Sequence, residues 1–280
     1  MDLYSIKTVK ELLRGNNTAP DKLLGQNFLL EKRVTVKILR ASELSLKDTV
    51  LEIGPGIGTL TRELAQASKK VVAVEKDPAM VEILRETVKD LSNVQIIEGD
   101  ILSLPRVRRG KLTLGKDKYK VVANLPYYIT SPVIRMFLEA ERKPELMVFM
   151  VQKEVAQRIC AKPPNMNLLA LSVQFYAEPK IISFVRKSAF WPQPKVDSAI
   201  LKIVPKREVP PMGSDLFFHI VKAGFKQPRK QLGNNLSHGL KLSRQEVETW
   251  LRQGGISPTQ RAETLSVSDW VVLTKSFPKT

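Results

Sequence analysis

One stretch of the sequence, residues 48–60, constrains the fold more than any other. It is a short apolar run that leads into three glycines at alternate positions, Gly54, Gly56 and Gly58, and a helical pattern starts at Leu60. This order predicts a buried strand, a tight turn and a helix. Glycines in such a turn reach positive φ and let a ligand approach the backbone, and the helix start offers unpaired N–H groups. Taken alone the loop is weak evidence for a ligand, because a tight turn requires glycine anyway.

Strands and helices alternate through the rest of the first two thirds of the chain. Predominantly apolar runs predict further strands at 70–74, 94–97, 121–123, 146–151 and 199–204. Helical patterns fall between most of them, and an alternation at this interval is typical of βαβ units with a mostly parallel sheet. Two shorter runs, 173–176 and 181–185, are predicted as edge strands.

The last third of the chain has a different character. Residues 205–213 contain three prolines and mixed charge, which indicates a linker. Residues 214–280 lack strand patterns and predict helices at 214–225, 229–237, 243–253 and 268–276. We therefore expect a larger α/β domain over 1–204 and a small helical domain over 214–280.

Acidic side chains follow two of the predicted strands. Glu75 comes directly after the second strand of a βαβ unit, where a carboxylate is well placed to accept both hydroxyl hydrogens of a ribose. Asp77 precedes Pro78 and is predicted to cap the next helix. Asp100 follows the third strand and could accept from an adenine amine, with Ile101 packed on the ring. The alternative for Asp100 is another helix cap.

The strand at 121–123 ends abruptly in Asn124, Leu125, Pro126 and Tyr127. Pro126 cannot donate to a central ladder, so the strand must stop there, at the sheet edge where ligands bind in α/β proteins. The Asn124 side-chain oxygen, the Leu125 carbonyl and the flat face of Tyr127 suit a planar base with an exocyclic NH2. The alternative is that these residues only form a turn.

Two aromatic residues, Phe190 and Trp191, begin the segment 190–198, which cannot be a helix because two prolines interrupt it. These prolines hold the loop stiffly, so Phe190 and Trp191 have little freedom. Either ring could act as a stacking wall beside a base pocket. Ordinary core packing is the alternative and the more common fate of aromatic residues.

The charge balance points to a polyanionic partner. Forty-five Lys and Arg residues against 28 Asp and Glu give a net charge of +17, as expected of a protein that binds nucleic acid. Candidate phosphate contacts, for which a solvated face is the alternative, are Arg106, Arg108, Arg109, Lys222, Lys226, Arg229 and Lys230.

Cysteine and histidine usage restricts the remaining classes. Cys160 is the single cysteine, which excludes an internal disulfide framework and a multi-cysteine zinc site. The two histidines lie far from any cluster with ligand spacing, so we expect no metal. No apolar run reaches the length of a membrane span or of a signal peptide, and we expect a cytoplasmic protein.

Together, the motifs resemble the small-subunit ribosomal RNA adenine dimethyltransferases over nearly the whole chain. The matching segments are 25–29 (GQNFL), 52–58 (EIGPGIG), Glu75, 99–101 (GDI), 124–129 (NLPYYI), 190–198 (FWPQPKVDS), 225–236 and 261–265 (RAETL). Two departures are visible, Glu31 where we expect Asp and Pro228 within a basic cluster. The second leaves the rRNA contacts of the helical domain open.

The resemblance implies a Rossmann-like class I methyltransferase sheet of seven strands, mostly parallel with one antiparallel strand, and S-adenosylmethionine as methyl donor. The implied donor-site residues are Gln26, Asn27, Leu29, Gly54, Gly56, Glu75, Lys76, Asp100, Ile101 and Asn124. The implied catalytic residues are Asn124, Leu125, Pro126, Tyr127 and Phe190. The implied substrate is a pair of adjacent adenines in a hairpin near the 3′ end of 16S rRNA within a 30S subunit or its precursor, methylated by a monomer.

Two other functions stay open at this point. One is a large-subunit rRNA adenine methyltransferase of the macrolide-resistance type, which shares the N-terminal half; residues 225–236 and 261–265 favour the small-subunit type. The other is a ribosome-assembly or transcription factor that keeps the fold without catalysis. Intact segments at 54–58 and 124–127 argue against lost activity.

Overall fold

A computed structural model describes residues 1–103, 118–208 and 213–278. The strands in these ranges are β1 Phe28–Leu29, β2 Thr49–Ile53, β3 Lys70–Glu75, β4 Val94–Glu98, β5 Tyr119–Asn124, β6 Leu146–Gln152, β7 Ala177–Val185, β8 Phe190–Trp191 and β9 Ser198–Pro205. The α-helices are Ile6–Gly15, Lys32–Ser42, Thr59–Ala67, Pro78–Thr87, Thr130–Leu138, Lys153–Ile159, Leu168–Gln174, Ser214–Gly224, Leu232–Leu240, Arg244–Gln253 and Val267–Lys275.

Seven strands form one sheet in the order β4-β3-β2-β5-β6-β9-β7. Strands β4, β3, β2, β5 and β6 pair in parallel, and β9 runs antiparallel to β6. Helices connect β2 to β3, β3 to β4 and β5 to β6, as is usual for parallel crossovers. The prediction of a mostly parallel seven-stranded sheet with one antiparallel strand and a helical C-terminal region is confirmed.

The sheet is the core of the first part of the chain. Every residue of β2 is buried, as are Val71 to Glu75 of β3. Strands covered on both faces read as continuous apolar runs, which is why these strands were recognisable in the sequence. Glu52 and Glu75 are the acidic exceptions within those runs.

By internal contacts the chain divides into two compact units. The first contains Met1–Ala156 and Pro179–Pro205, and the second contains Gln157–Glu178 and Lys206–Thr280. The second unit therefore includes a segment that the sequence assigns to the larger domain. A short antiparallel pair, β1 with β8, lies within the first unit and joins Leu29 to Phe190 in register.

The prediction of an edge strand at 173–176 is wrong. Residues Leu168–Gln174 are helical, and the Asn167 side chain caps this helix by accepting from the Ala170 amide. Phe175 then stacks on Phe217, with ring centroids 4.1 Å apart. A short apolar run does not distinguish a strand from a buried helix end, and this one packs in the helical unit.

The predicted cap at Asp77 is confirmed, because its Oδ1 accepts from the Ala79 amide and Pro78 occupies the first helical position. None of the described helices is long and apolar enough to cross a membrane. No cluster of metal-ligating side chains occurs among the described residues either.

Candidate active site

The carboxyl ends of β2, β3 and β5 meet at one edge of the sheet and form a cleft. Ligands bind at this edge in open α/β sheets. The cleft brings together the predicted donor-site residues with three of the other predicted catalytic residues: Gln26, Asn27, Leu29, Gly54, Gly56, Glu75, Lys76, Asp100, Ile101, Asn124, Leu125, Pro126 and Tyr127.

The glycine loop after β2 has the conformation that the sequence predicts. Gly54, Gly56 and Gly58 have φ values of 63°, 56° and 87°, a region that side chains with a Cβ rarely adopt. A Cβ on Gly56 would also lie 3.4 Å from the Phe28 ring. The backbone here is therefore bare, and a ligand can approach it closely.

The Glu75 carboxylate is already engaged by three backbone amides. Its Oε1 accepts from Lys76 N at 2.8 Å and from Asp77 N at 3.0 Å, and its Oε2 accepts from Gly56 N at 3.0 Å. Burial raises the pKa of Glu75, and these amides oppose the rise. A carboxylate offers about four acceptor positions, and the three amides occupy all but one of them. One ribose hydroxyl can therefore bind to Glu75, whereas a second hydroxyl would have to displace an amide.

Asp100 forms an ion pair with Lys76, with Oδ2 and Nζ 3.0 Å apart. Its Oδ1 accepts from the Leu102 amide at 2.9 Å, so the carboxylate also closes a turn. Burial favours a higher pKa, but the amide and the Lys76 ammonium together hold the pKa of Asp100 below its ordinary value. Asp100 is therefore an ionised acceptor, and the buried Ile101 follows it.

Asn124 ends β5 with its amide in a defined orientation. Its Nδ2 donates to the backbone oxygen of Asn27 at 3.1 Å, so Oδ1 is turned the other way and has no partner among the described residues. Leu125 donates its amide to Met150 at 3.2 Å. The Leu125 carbonyl accepts nothing from the described part of the chain, so two oxygens at this strand end are available to a substrate.

Tyr127 begins a short 3-10 turn, Tyr127–Ile129, after Pro126. Its hydroxyl lies 2.9 Å from the Oγ of Ser198, the fully buried first residue of β9. Burial raises the pKa of Tyr127, while the Ser198 hydroxyl opposes the rise. The ring is thus held at both ends, by the turn and by Ser198, beside Asn124.

Phe190 is not part of the cleft. It is 4% exposed and packs in the core with Leu29 and Ile200. The neighbouring Trp191 stacks on Phe28, with centroids 6.4 Å apart. Core packing, the alternative for these aromatic residues, describes Phe190 in this structure, because the β1–β8 pair turns its ring inward.

Glu52 was missed in the sequence. It lies in β2, is 1% exposed, lines the cleft, and its Oε2 has no hydrogen-bond partner among the described atoms. Burial raises its pKa to about 8, with the Thr61 hydroxyl opposing and the Glu75 carboxylate adding to the rise. An acidic residue in the middle of an apolar strand was the available signal.

The candidate phosphate contacts fall into two groups. Arg106, Arg108 and Arg109 lie outside the described residues. The other group is exposed in the second unit and consists of Lys222, Lys226, Arg229 and Lys230.

A seven-stranded sheet with a glycine loop after β2, an acidic residue at the end of β3 and a cleft at their carboxyl ends defines a Rossmann-like class I methyltransferase. This class uses S-adenosylmethionine in general. Residues 18–279 match the family model described as "Ribosomal RNA adenine dimethylase". The chain belongs to this family.

Relatives and solved structures agree with this membership. The chain is 48% identical to "Ribosomal RNA small subunit methyltransferase A" of Dehalococcoides mccartyi, over 94% of this chain and 90% of the relative. It is 39% identical to the protein of the same name from Clostridioides difficile, over 97% and 95%. A dimethyladenosine transferase of Plasmodium falciparum aligns with a TM-score of 0.72 and 25% identity, over 88% and 95%. The 23S rRNA methyltransferase ErmE aligns with a TM-score of 0.73 and 27% identity, over 89% and 99%.

Proposed function

We propose that this chain transfers methyl groups from S-adenosylmethionine to the N6 amines of two adjacent adenines in a 3′-terminal hairpin of 16S rRNA, giving N6,N6-dimethyladenosines. The observation that carries the proposal is the Asn124 amide: its Nδ2 is bound to Asn27, and its Oδ1, beside the donor cleft, has no partner among the described residues. The curated relatives named small-subunit methyltransferase A, at 48% and 39% identity over 90% or more of each chain, disfavour the large-subunit alternative.

The residues present in the cleft fit the donor. Gly54 and Gly56 leave bare backbone for its methionine end, and the free acceptor position of Glu75 suits a ribose hydroxyl. Asp100 is an ionised acceptor for the adenine amine, with Lys76 fixing one of its oxygens. Asn27 and Leu29 would border the donor. When bound, the donor supplies an electrophilic methyl group on a sulfonium.

Catalysis in this proposal is mainly positioning. An adenine amine is a poor nucleophile because its lone pair is delocalised into the ring. If Asn124 Oδ1 and the Leu125 carbonyl each accept one amine hydrogen, the nitrogen is drawn toward tetrahedral geometry and its lone pair faces the methyl group. Transfer of the methyl group from the donor sulfur to the nitrogen would leave a surplus proton on that nitrogen; Asn124 Oδ1 and the Leu125 carbonyl would hold this proton in a hydrogen bond until it passes to solvent.

Tyr127 would hold the target base flat after it leaves its stack. Pro126 fixes the chain between the Leu125 carbonyl and that ring. Phe190 would support the site from the core by packing under Leu29, and would form a second wall only if the β8 segment moved. The second methylation leaves one amine hydrogen to direct, so the pocket must also accept a monomethyl amine.

The partner and the setting are part of the same proposal. The helical domain, 214–280, and its exposed cations would contact rRNA phosphates within a 30S subunit or its precursor, together with Arg106, Arg108 and Arg109. The catalytic domain would comprise 1–204, with 205–213 as the linker. We propose a monomer in the cytoplasm.

Transfer of tritiated methyl groups to unmethylated 30S particles tests the proposal. We expect up to four methyl groups per particle, and primer extension should stop at two adjacent adenines near the 3′ end of 16S rRNA. Label in 23S rRNA from parallel 50S particles would instead support the large-subunit alternative. Absence of transfer to either particle would support a non-catalytic assembly factor.

A further inference from the structure

We propose that Gln26 is a positioning residue that sets the orientation of the Asn124 amide, through a chain of hydrogen bonds anchored on Asp77. The inference rests on the proposed function, because it concerns how the acceptor oxygen of Asn124 is aimed. It also changes the role of Gln26, which the sequence assigns to donor binding.

Both ends of the Gln26 side chain are used within the protein. Its Oε1 accepts from the Asp21 amide at 2.8 Å, and its Nε2 donates to Asp77 Oδ2 at 2.7 Å. The amide has one acceptor atom and one donor group, and each has a partner. Gln26 therefore closes the loop 21–26 on itself and ties it to the start of the helix Pro78–Thr87.

Asp77 is an anchor with two separate acceptors. Its Oδ1 caps the helix at Ala79 N, at 2.9 Å, and its Oδ2 takes the hydrogen bond from Gln26. Its own amide is bound by Glu75 at 3.0 Å. The anchor is thus held by the Ala79 amide on one side and, on the other, by the Glu75 carboxylate that is proposed to hold the ribose.

The next residue along the loop, Asn27, carries the bond to the catalytic residue. The Asn27 carbonyl accepts from Asn124 Nδ2 at 3.1 Å, while the Asn27 side chain donates to Gly25 O at 2.9 Å. Gly25 has a φ of 66°, and a Cβ there would lie 3.5 Å from Pro126. The loop therefore packs against the segment that contains the two proposed acceptors.

The direction of the Asn27 carbonyl decides which end of the Asn124 amide faces the cleft. A carbonyl attracts the NH2 end, so the oxygen is left for the substrate. If the loop loses its attachment, the amide can turn over and present NH2 to an amine that also donates. Two donors facing each other cannot bond, so transfer slows although the donor site keeps its own contacts.

Two single variants and the double variant that combines them test this chain of hydrogen bonds, and the double variant keeps the net charge of the wild type. In Asp77→Asn the oxygen that caps Ala79 is kept, but an NH2 donor replaces the Oδ2 that accepts from Gln26. Gln26 can turn its own amide toward the new NH2, but only by losing the Asp21 amide. Gln26→Glu alone places a carboxylate against Asp77. The two changes together restore every bond, because the glutamate accepts from both the Asp21 amide and the new NH2.

We expect Gln26→Ala, Gln26→Glu and Asp77→Asn each to lower the single-turnover rate on 30S particles at saturating donor by about tenfold or more, the effect of one misdirected hydrogen bond. Calorimetry should show donor dissociation constants within about threefold of the wild type. The double variant should regain most of the rate. Thermal unfolding checks that each variant is folded.

Three outcomes would overturn the inference. They are an unchanged rate in Gln26→Ala, a donor affinity that falls by the same factor as the rate, and a folded double variant that stays as slow as the single ones. The side-chain amide signals of Asn124, assigned by NMR, provide a readout without activity, since Gln26→Ala should remove the bonded NH2 pattern. If wild-type protein methylates no particle, the proposed function fails, while the NMR result still decides the inference.

Discussion

Replacement of Glu52 by glutamine should stabilise the protein relative to the wild type, and this advantage should grow as the pH rises. Glu52 is 1% exposed and sits in the central strand β2, with Oε2 unpartnered among the described atoms. Glutamine has nearly the same shape and cannot ionise. The substitution therefore removes the penalty of a buried charge while it keeps the packing of β2 between β3 and β5.

The size of the effect follows from the pKa. Burial raises the pKa of Glu52 from 4.5 to about 8. Because the folded value lies above the unfolded one, the stability that the protonated group contributes is full below pH 4.5 and is lost as the pH rises toward 8. Over that window of about 3.5 pH units, at about 1.4 kcal/mol per unit, the loss reaches at most about 5 kcal/mol.

Urea unfolding of both proteins, followed by far-UV circular dichroism from about pH 5 to about pH 9, measures this loss. The difference in unfolding free energy between variant and wild type should grow in favour of glutamine by roughly 1 kcal/mol per pH unit and level off above about pH 8. Glu86→Gln, at an exposed position, is the control for loss of a carboxylate. A difference that stays constant across the range would show that Glu52 ionises as it does in water, and would refute the reasoning.

Four further predictions concern the site, the RNA and the helical unit. Asn124→Ala should lower the single-turnover rate by about a hundredfold or more, as for loss of one oriented polar group, while donor affinity measured by calorimetry falls less. Ser198→Ala frees the Tyr127 hydroxyl, so the rate should fall about threefold to tenfold, and adding Tyr127→Phe should cost nothing further in a double-mutant cycle. Affinity for 30S particles, measured by filter binding, should fall steeply with salt, since about six phosphate contacts correspond to about a thousandfold loss between roughly 50 and 200 mM. Gly224→Ala would push a Cβ into the Trp270 ring and should lower the melting temperature by several degrees, about 1–3 kcal/mol of strain.

The sheet could be predicted because its strands carry their own signal. Val71 to Val74 and Val121 to Ala123 are continuous apolar runs, and buried parallel strands require such runs. The positions of Glu75 and Asn124 followed from the rule that ligands bind at the carboxyl ends of strands. The prediction of a strand at 173–176 is wrong for a related reason. An apolar run indicates burial, but it does not distinguish a strand from a buried helix.

The role of individual atoms was not predictable in this way. Phe190 was expected beside the target base, yet the pairing of β8 with β1 turns its ring into the core. Nothing in the local sequence specifies that pairing, which joins residues far apart in the chain. Glu52 has no predicted role, because the apolar pattern around it indicates only a buried strand.

Hydrogen-bond polarity is the part of the site that depends most on distant residues. The sequence indicates that Asn124 lies at a strand end, but only its contact with Asn27, 97 residues earlier, decides that the amide oxygen and not the NH2 faces the cleft. That contact depends in turn on Gln26 and Asp77, 51 residues apart. The loop that contains Gln26 and Asn27 is therefore the element that aims the acceptor oxygen of Asn124. Substitutions of Gln26 should therefore change the rate of transfer more than the affinity for the donor.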